Sequence, residues 1–232
     1  MEKIKEPLKL GGILGAIALV ISILLSFVNG ITADRIAEVN ANVVQSGLKE
    51  VMPSDREIEF ISMEGGVDLT NEKGIDIGNL YIAMDTEGNI IGYCATVLPE
   101  GYGGPVETIV GMDLTGTITG VKVTSNMSET PGLGAKAQVR ENFTYQFEKR
   151  TPSFAVTRDG GDIDAITSAT ITSRAITDGV NAAAEVINKN SAFEKIDKSD
   201  IIDGKYIVKA EEPEPEEGEG EEAEGEEDTE NE

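Results

Sequence analysis

The sequence of 232 residues contains no histidine and no tryptophan, and Cys94 is its single cysteine. Without histidine, the chain lacks the commonest general base and the commonest metal ligand. One cysteine cannot form an intrachain disulfide, a CxxC pair or the thiolate set of an iron–sulfur cluster. Redox chemistry in this chain would therefore need an organic cofactor, or a cluster held by another chain.

Basic residues are also scarce, with 19 Lys and Arg against 43 Asp and Glu and a net charge of -24. Because a protein needs basic side chains to displace counterions from phosphates, nucleic acid is excluded as a partner class. Residues 211–232 contain fourteen acidic residues and no basic one. A segment of that composition repels itself and cannot bury apolar surface, so residues 210–232 are predicted to be a disordered acidic tail. It would act either as a solvating tail or as a docking segment for cations or a partner.

The one long apolar run lies near the N-terminus. Residues 10–28 (LGGILGAIALVISILLSFV) contain no charge, and nineteen residues of helix span about 28 Å, the thickness of a bilayer core. Apolar residues on all faces argue against a buried soluble helix. The length of the run and the absence of a small-x-small site favour an uncleaved anchor over a cleaved signal peptide. Three lysines precede the run and one arginine follows it closely, which predicts a cytoplasmic N-terminus.

The pattern changes after the predicted membrane span. Apolar spacing over residues 33–52 is helical and predicts a juxtamembrane helix that Thr32 caps near Asp34 and that ends before Pro53. Five short runs then alternate or are apolar throughout, as strands are: EIEFISM, LYIAMD, IIGYCATVL, ETIVGMD and TITGVKV. Glycine-containing turns at DTEGN and LTGT predict two antiparallel hairpins. Further elements are predicted at 137–147 (helix), 163–166 (strand) and 172–188 (helix).

The predicted fold class is therefore α+β, with one transmembrane helix followed by an extracytoplasmic domain with an antiparallel sheet and packed helices. The predicted organisation is a cytoplasmic N-terminus (1–9), a transmembrane helix (10–28), an extracytoplasmic domain (31–190), a C-terminal extension (191–209) and the acidic tail (210–232). The expected location is the cell membrane, with lipid around a single span.

Candidate chemistry is concentrated in a hydroxyl-rich segment, DAITSATITS at residues 164–173. Serine and threonine at a helix start are commonly only caps. A helix N-terminus also offers free N–H groups and a positive dipole end, which together favour an anion such as a phosphate. The residues alone leave both interpretations open.

Residues 164–170 (DAITSAT) resemble the flavinylation motif of the FMN-binding domain family, usually written Asp-x-x-Ser/Thr-Gly-Ala-Thr. ETPGLG (129–134) and GYGGP (101–105) resemble two further signatures of that family. All three occur in the expected order behind a single span. Over roughly residues 10–190 the combination is similar to the G-subunit family of the Rnf complexes, which are ion-translocating ferredoxin:NAD oxidoreductases. It is less similar to the C-type subunits of the sodium-translocating NADH:quinone reductases.

The resemblance implies a covalently bound FMN whose phosphate is esterified to Thr170 by a separate flavin transferase that uses FAD and magnesium. Carried over by position, the other expected cofactor-binding residues are Thr167, Ser168, Ala169, Ile171, Thr130, Gly132, Leu133, Gly134, Lys136 and Tyr102. Lys136 would offer positive charge to the phosphate or to the reduced ring. No metal site is expected. The family usually has glycine where this chain has Ser168, so a positive φ at this position would strain the serine.

The resemblance implies an electron-transfer subunit with covalent FMN that works with the other subunits of an Rnf-type membrane complex. The resemblance also implies that this subunit acts as part of a redox-driven, ion-translocating enzyme. Three alternatives stand beside this interpretation: the FMN subunit of a sodium-translocating quinone reductase, a standalone extracytoplasmic flavoprotein reductase, and a flavin-free anchored binding module whose Ser/Thr cluster is only a cap.

Overall fold

The computed structural model describes residues 2–55, 57–126, 128–191, 201–202 and 204–208. The acidic tail and most of the predicted C-terminal extension lie outside the described residues. The chain begins with one long helix, α1 (Glu2–Val51). By length and composition this helix is able to cross a membrane: its apolar window has a mean hydropathy of 2.5, and none of that window is buried against the rest of the chain.

The prediction of a second helix starting near Asp34 was wrong, because α1 continues through that point without a break. The Thr32 hydroxyl donates to the Val28 carbonyl oxygen at 2.9 Å inside the helix, so it does not cap a new helix. Extending an existing helix adds one hydrogen bond for each residue fixed, whereas nucleating a second helix is costly. The predicted end before Pro53 is confirmed.

Within the described residues the sheet has seven strands, β1 (Ile58–Gly65), β2 (Asp76–Asp85), β3 (Ile90–Leu98), β4 (Glu107–Asp113), β5 (Ile118–Ser125), β6 (Ile201–Ile202) and β7 (Lys205–Val208). Their order is β5-β4-β3-β2-β1-β7-β6. Strands β1 to β5 form an antiparallel meander, which confirms the five strands and two hairpins expected from the sequence.

The sheet departs from the purely antiparallel prediction at its far edge. β7 pairs with β1 in parallel, and β6 pairs with β7 in antiparallel fashion. These two strands belong to the stretch 191–209, which was predicted as a C-terminal extension with no element assigned to it. They were missed because each is short, with β6 only two residues long, and strands of that length carry no periodic signal.

The second helix, α2 (Thr170–Asn190), is two residues longer at each end than predicted. The predicted helix at 137–147 is replaced by three short 3-10 helices, Gly134–Gln138, Arg140–Asn142 and Thr144–Phe147. The predicted strand at 163–166 was also wrong. Only Ile163 is paired, in an isolated parallel bridge to Val156.

The two helices cover opposite faces of the sheet. The main core lies between the sheet and α2, with the 3-10 helices closing its side. A smaller cluster on the other face holds the last turn of α1 through Leu48 and Val51. A Cβ atom on Gly120 of β5 would stand 2.8 Å from the Val51 carbonyl oxygen, so glycine is required for α1 to approach this closely. Thr119 then donates to that same oxygen at 2.6 Å. The long apolar helix α1 therefore continues directly into the core of the domain.

Candidate functional site

A cavity of about 820 Å³ opens at the N-terminus of α2. Four segments that are distant in sequence meet there: the GYGGP loop, the ETPGLG loop, the short 3-10 helix Thr157–Asp159 and the hydroxyl-rich segment. The lining residues are Tyr102, Glu129, Thr130, Leu133, Gly134, Thr157, Arg158, Asp164, Ala165, Ile166, Thr167, Ser168, Ala169, Thr170, Ile171 and Thr172. The volume lies in the range of small-molecule and cofactor sites.

Thr170 is the first residue of α2, and its side chain is half-buried in the cavity wall. In the described part of the chain no side chain caps this helix, and its first turn contains no acidic residue. Within the described residues, no backbone or side-chain oxygen accepts a hydrogen bond from the N–H groups of Thr170, Ile171 or Thr172. Three free N–H groups and the positive end of the helix dipole therefore face the cavity mouth, an arrangement that attracts an anion.

The turn before α2 is held in an uncommon backbone conformation. Ser168 has φ of 64°, which lies in the left-handed region. The Ser173 hydroxyl donates to the Ala169 carbonyl oxygen at 2.9 Å and accepts from the Ile166 N–H at 3.0 Å. The buried Ser173 hydroxyl thus forms hydrogen bonds with both ends of the turn. A positive φ favours glycine, which the motif that this segment resembles has at this position, and in this chain serine occupies the position under strain.

Glu129 connects the loops around the cavity, although no pattern in the sequence assigned it a role. The residue is 5 % exposed. One carboxylate oxygen accepts from the Gly103 N–H at 3.1 Å, and the other accepts from the Thr172 hydroxyl at 2.8 Å. A Cβ atom on Gly134 would collide with this carboxylate, which accounts for glycine at that position. The two glycine-rich loops and the start of α2 therefore share one buried carboxyl group.

The three candidate threonines have different surroundings. Thr172 is fully buried, and its hydroxyl donates a hydrogen bond to Glu129. Thr167 is exposed in the turn before the helix. Thr170 lies between these extremes, and its hydroxyl makes no hydrogen bond with any residue in the described part of the chain. Of the three, Thr170 alone combines a free hydroxyl with a position on the first turn of α2.

Arg158 brings a positive charge to the cavity from the 3-10 helix Thr157–Asp159. The next residue, Asp159, accepts two hydrogen bonds from the Arg174 guanidinium on α2, at 2.6 and 2.8 Å. These hydrogen bonds and the Arg174 charge hold the pKa of the Asp159 carboxyl below its ordinary 3.8. The pair ties the segment that carries Arg158 to the first turns of α2.

Nine of the eleven residues expected from the sequence to bind the cofactor line this cavity. Gly132 and Lys136 do not, and Lys136 lies on the 3-10 helix Gly134–Gln138. The cavity also contains Glu129, Thr157 and Arg158, which were not among the expected cofactor-binding residues. Glu129 was visible as the first residue of ETPGLG, whereas Arg158 belongs to no motif and reaches the site only through folding.

Comparison with known proteins agrees with this geometry. The FMN-binding domain family matches residues 101–185, and the RnfG N-terminal region matches residues 1–51. The chain is 33 % identical over 192 residues to the G subunit of the Na(+)-translocating ferredoxin:NAD(+) oxidoreductase complex of Acetobacterium woodii, covering 78 % of this chain and 92 % of that protein. It is 33 % identical over 201 residues to the G subunit of the ion-translocating oxidoreductase complex of Haemophilus influenzae strain PittEE, covering 83 % and 96 %.

Among solved structures, the chain is similar to the C-type subunit of the Na(+)-translocating NADH-quinone reductase of Parabacteroides distasonis. That match has 21 % identity and a TM-score of 0.43, and it covers 60 % of this chain and 79 % of that one. The coverage of the two G-subunit proteins is nearly end to end, and the matched regions of this chain include the N-terminal helix as well as the FMN-binding domain. The chain therefore belongs to the G-subunit family of the Rnf-type ion-translocating oxidoreductase complexes.

Proposed function

We propose that this chain is the electron-transferring G subunit of a membrane-bound, ion-translocating ferredoxin:NAD oxidoreductase complex, with FMN esterified through its phosphate to Thr170. The G-subunit proteins of Acetobacterium woodii and Haemophilus influenzae support the complex. The observation that carries the covalent assignment is the position of Thr170, whose free hydroxyl lines the cavity on the first residue of α2.

The residues of the cavity fit an FMN. Free N–H groups on the first turn of α2 match the oxygens of a phosphate, and that turn itself contains no acidic residue. Tyr102 and Leu133 provide apolar surface on the neighbouring loops, and both are exposed to the cavity. An aromatic and an aliphatic side chain beside an anion site are suited to a ligand with a flat ring and a phosphate tail.

The environment of each hydroxyl supports Thr170 over its neighbours. Thr172 would have to break its bond to Glu129 and leave the core before it could be modified. Thr167 is accessible, but it precedes the helix and offers a phosphate fewer of the free N–H groups. An ester at Thr170 sits directly on the first turn of α2, where the dipole and hydrogen bonds contribute on the order of 0.3–1 kcal/mol or more.

Attachment by a flavin transferase would use FAD and magnesium as the donor system. The Thr170 hydroxyl oxygen would form the bond to the FMN-side phosphorus of FAD, the pyrophosphate P–O bond would break with AMP as the leaving group, and the hydroxyl proton would pass to the transferase or to solvent. When bound, FMN supplies transfer of one or two electrons, and the protein contributes its position and electrostatic surroundings.

The expected orientation places the flavin domain outside the cytoplasm, with α1 in contact with membrane lipid. Lysines at positions 3, 5 and 9 precede the span, and only Arg35 closely follows it. Because α1 passes without interruption into the domain core, the span and the flavin site belong to one continuous framework. A phosphoester keeps the cofactor from being lost to the medium on that side of the membrane.

The test is co-expression with the flavin transferase, followed by denaturing gels viewed under ultraviolet light and peptide mass spectrometry. Wild type should carry the FMN mass on the peptide containing Thr170, and Thr170→Ala should carry none. Thr170→Ser retains the hydroxyl and is expected to be modified. Thr167→Ala is the matched control, because it removes an exposed threonine from the same cavity and should keep its flavin. The FMN mass on Thr170→Ala protein would contradict the assignment.

A further inference from the structure

Arg158 stands apart from the other arginines of the domain. Of the five arginines whose side chains the structure describes, four form ion pairs: Arg35 with Glu38, Arg140 with Glu148, Arg150 with Asp162 and Arg174 with Asp159. Arg158 is exposed and makes no ion pair or hydrogen bond with any residue in the described part of the chain. Among the residues that line the cavity, it is also the single lysine or arginine.

The segment that carries Arg158 is held at both ends. The Thr157 N–H donates to the Ile163 carbonyl oxygen at 2.9 Å, in the bridge that starts the 3-10 helix. At the other end, Asp159 is bound by two Arg174 nitrogens on α2. Arg174 lies one helical turn beyond Thr170. The Arg158 segment is therefore anchored to the element that carries the attachment residue.

The acidic groups nearby leave the Arg158 charge available. Asp159 is taken by Arg174. Glu129 is buried, and its two oxygens already accept from Gly103 and Thr172. Asp164 also lines the cavity, but it makes no ion pair with Arg158 within the described residues. A guanidinium in this position is suited to an oxyanion, because its planar donors match carboxylate or phosphate oxygens.

We propose that Arg158 is a phosphate-binding residue of this site, and that its guanidinium holds the phosphate of the FMN attached at Thr170. The assignment rests on the proposed function. The phosphate is chosen over the flavin ring because it must lie one bond from the Thr170 hydroxyl oxygen, on the helix to which the Arg158 segment is fastened. It also carries its charge in every redox state of the flavin. Arg158 thus takes the role that the sequence suggested for Lys136, which is outside the cavity.

The experiment compares full-length wild type, Arg158→Gln and Arg158→Lys in detergent, with flavin transferase, FAD and magnesium. Arg140→Gln is the matched control, because it removes an exposed arginine that is outside the cavity. The initial rate of covalent labelling should fall about fivefold in Arg158→Gln, as expected for loss of one charge-assisted hydrogen-bonding group. Lysine should restore part of the rate. The deficit should shrink as ionic strength rises, because the charge is exposed to solvent.

A second measurement reports the contact itself. In fully loaded protein, the phosphorus NMR resonance of the phosphodiester should move in Arg158→Gln and stay in place in Arg140→Gln. The midpoint potential of the flavin should change little, because the phosphate charge does not depend on the redox state.

Three results would overturn the assignment. Labelling of Arg158→Gln at the wild-type rate with an unmoved phosphorus resonance would exclude the contact. A shifted midpoint potential together with an unmoved phosphorus resonance would show that the Arg158 guanidinium contacts the flavin ring and not the phosphate. Wild type without flavin on Thr170 would refute the proposed function first, and the Arg158 assignment would fall with it.

Discussion

The buried carboxylate of Glu129 leads to the most demanding prediction. It accepts hydrogen bonds from the Gly103 N–H and from the Thr172 hydroxyl, and both it and Thr172 are almost completely buried. Replacing Thr172 with valine keeps the shape of the side chain but leaves one carboxylate oxygen without its donor. A hydrogen bond to a charged group is worth about 1.5–3 kcal/mol, so Thr172→Val should destabilise the domain by roughly that amount.

The matched control is Thr172→Ser, which keeps the hydroxyl and removes one methyl group. It should cost only about 1 kcal/mol, the scale of one buried methyl group. Glu129→Ala removes the acceptor of both bonds and leaves a void, so about 3–5 kcal/mol is expected. Because Glu129 and Thr172 contact each other directly, the double variant should cost less than the sum of the single variants by about 1–2 kcal/mol.

These free energies can be measured by urea unfolding of the fragment 31–232, which omits the apolar run of residues 10–28 but retains the last turns of α1. The chain has five tyrosines and no tryptophan, so near-ultraviolet circular dichroism of tyrosine is a suitable signal. Hydrogen exchange should speed up in both glycine-rich loops of the Glu129→Ala fragment. If the destabilisation of the double variant equals the sum of the two single variants within about 0.5 kcal/mol, the view that this carboxylate holds the loops together is refuted. A Thr172→Val fragment as stable as wild type would refute it as well.

Three further predictions address strain, pH and topology. Ser168→Gly should stabilise the domain by about 0.5–1 kcal/mol, because it removes about 1–2 kcal/mol of left-handed strain and this gain exceeds the cost of glycine's greater freedom in the unfolded chain. A variant that is less stable than wild type in urea unfolding would contradict this. The lowered pKa of Asp159 contributes stability that is present above its unfolded value of 3.8 and is lost as pH falls through the folded value. The midpoint temperature of thermal unfolding of Asp159→Asn should therefore be lower than that of wild type at neutral pH, and the two should coincide well below pH 3.8. A lower midpoint temperature of the variant that persists in acid would contradict the role of the Asp159–Arg174 pair. For topology, Lys73→Cys introduces an exposed thiol. The wild-type thiol of Cys94 is buried, and burial raises its pKa, so it should not react with a maleimide. An impermeant maleimide should label Lys73→Cys in intact cells, and labelling only after lysis would reverse the proposed orientation.

Much of the fold follows from local pattern in the sequence. The apolar run of residues 10–28 has the length of a bilayer core, and the alternation in five segments defines the five strands of the meander. Glycines at the hairpin turns have positive φ, as at Gly88 and Gly116. Such features depend on neighbours within a few residues, so the sequence alone is sufficient to predict them.

The motif residues were only partly predictable from local pattern. Position within the motif nominated Thr170, but equal hydroxyls at Thr167 and Thr172 could not be separated by chemistry. Burial and the bond to Glu129 distinguish Thr172 from Thr170 in the folded chain. Likewise, the departure from glycine at Ser168 was visible in the sequence, whereas its positive φ depends on the turn that Ser173 holds from the following helix.

Sequence by itself determined the apolar run long enough to cross a membrane, the strand pattern, the acidic character of the C-terminus and the position of the candidate attachment residue. Tertiary structure decided the unbroken passage of α1 into the core, the parallel pairing of β7 with β1, the burial of Glu129 between two loops, and the entry of Arg158 into the cavity. The physical reason is that each of the latter features joins residues far apart in the chain. Their energies come from packing and hydrogen bonds between segments, which no local period encodes.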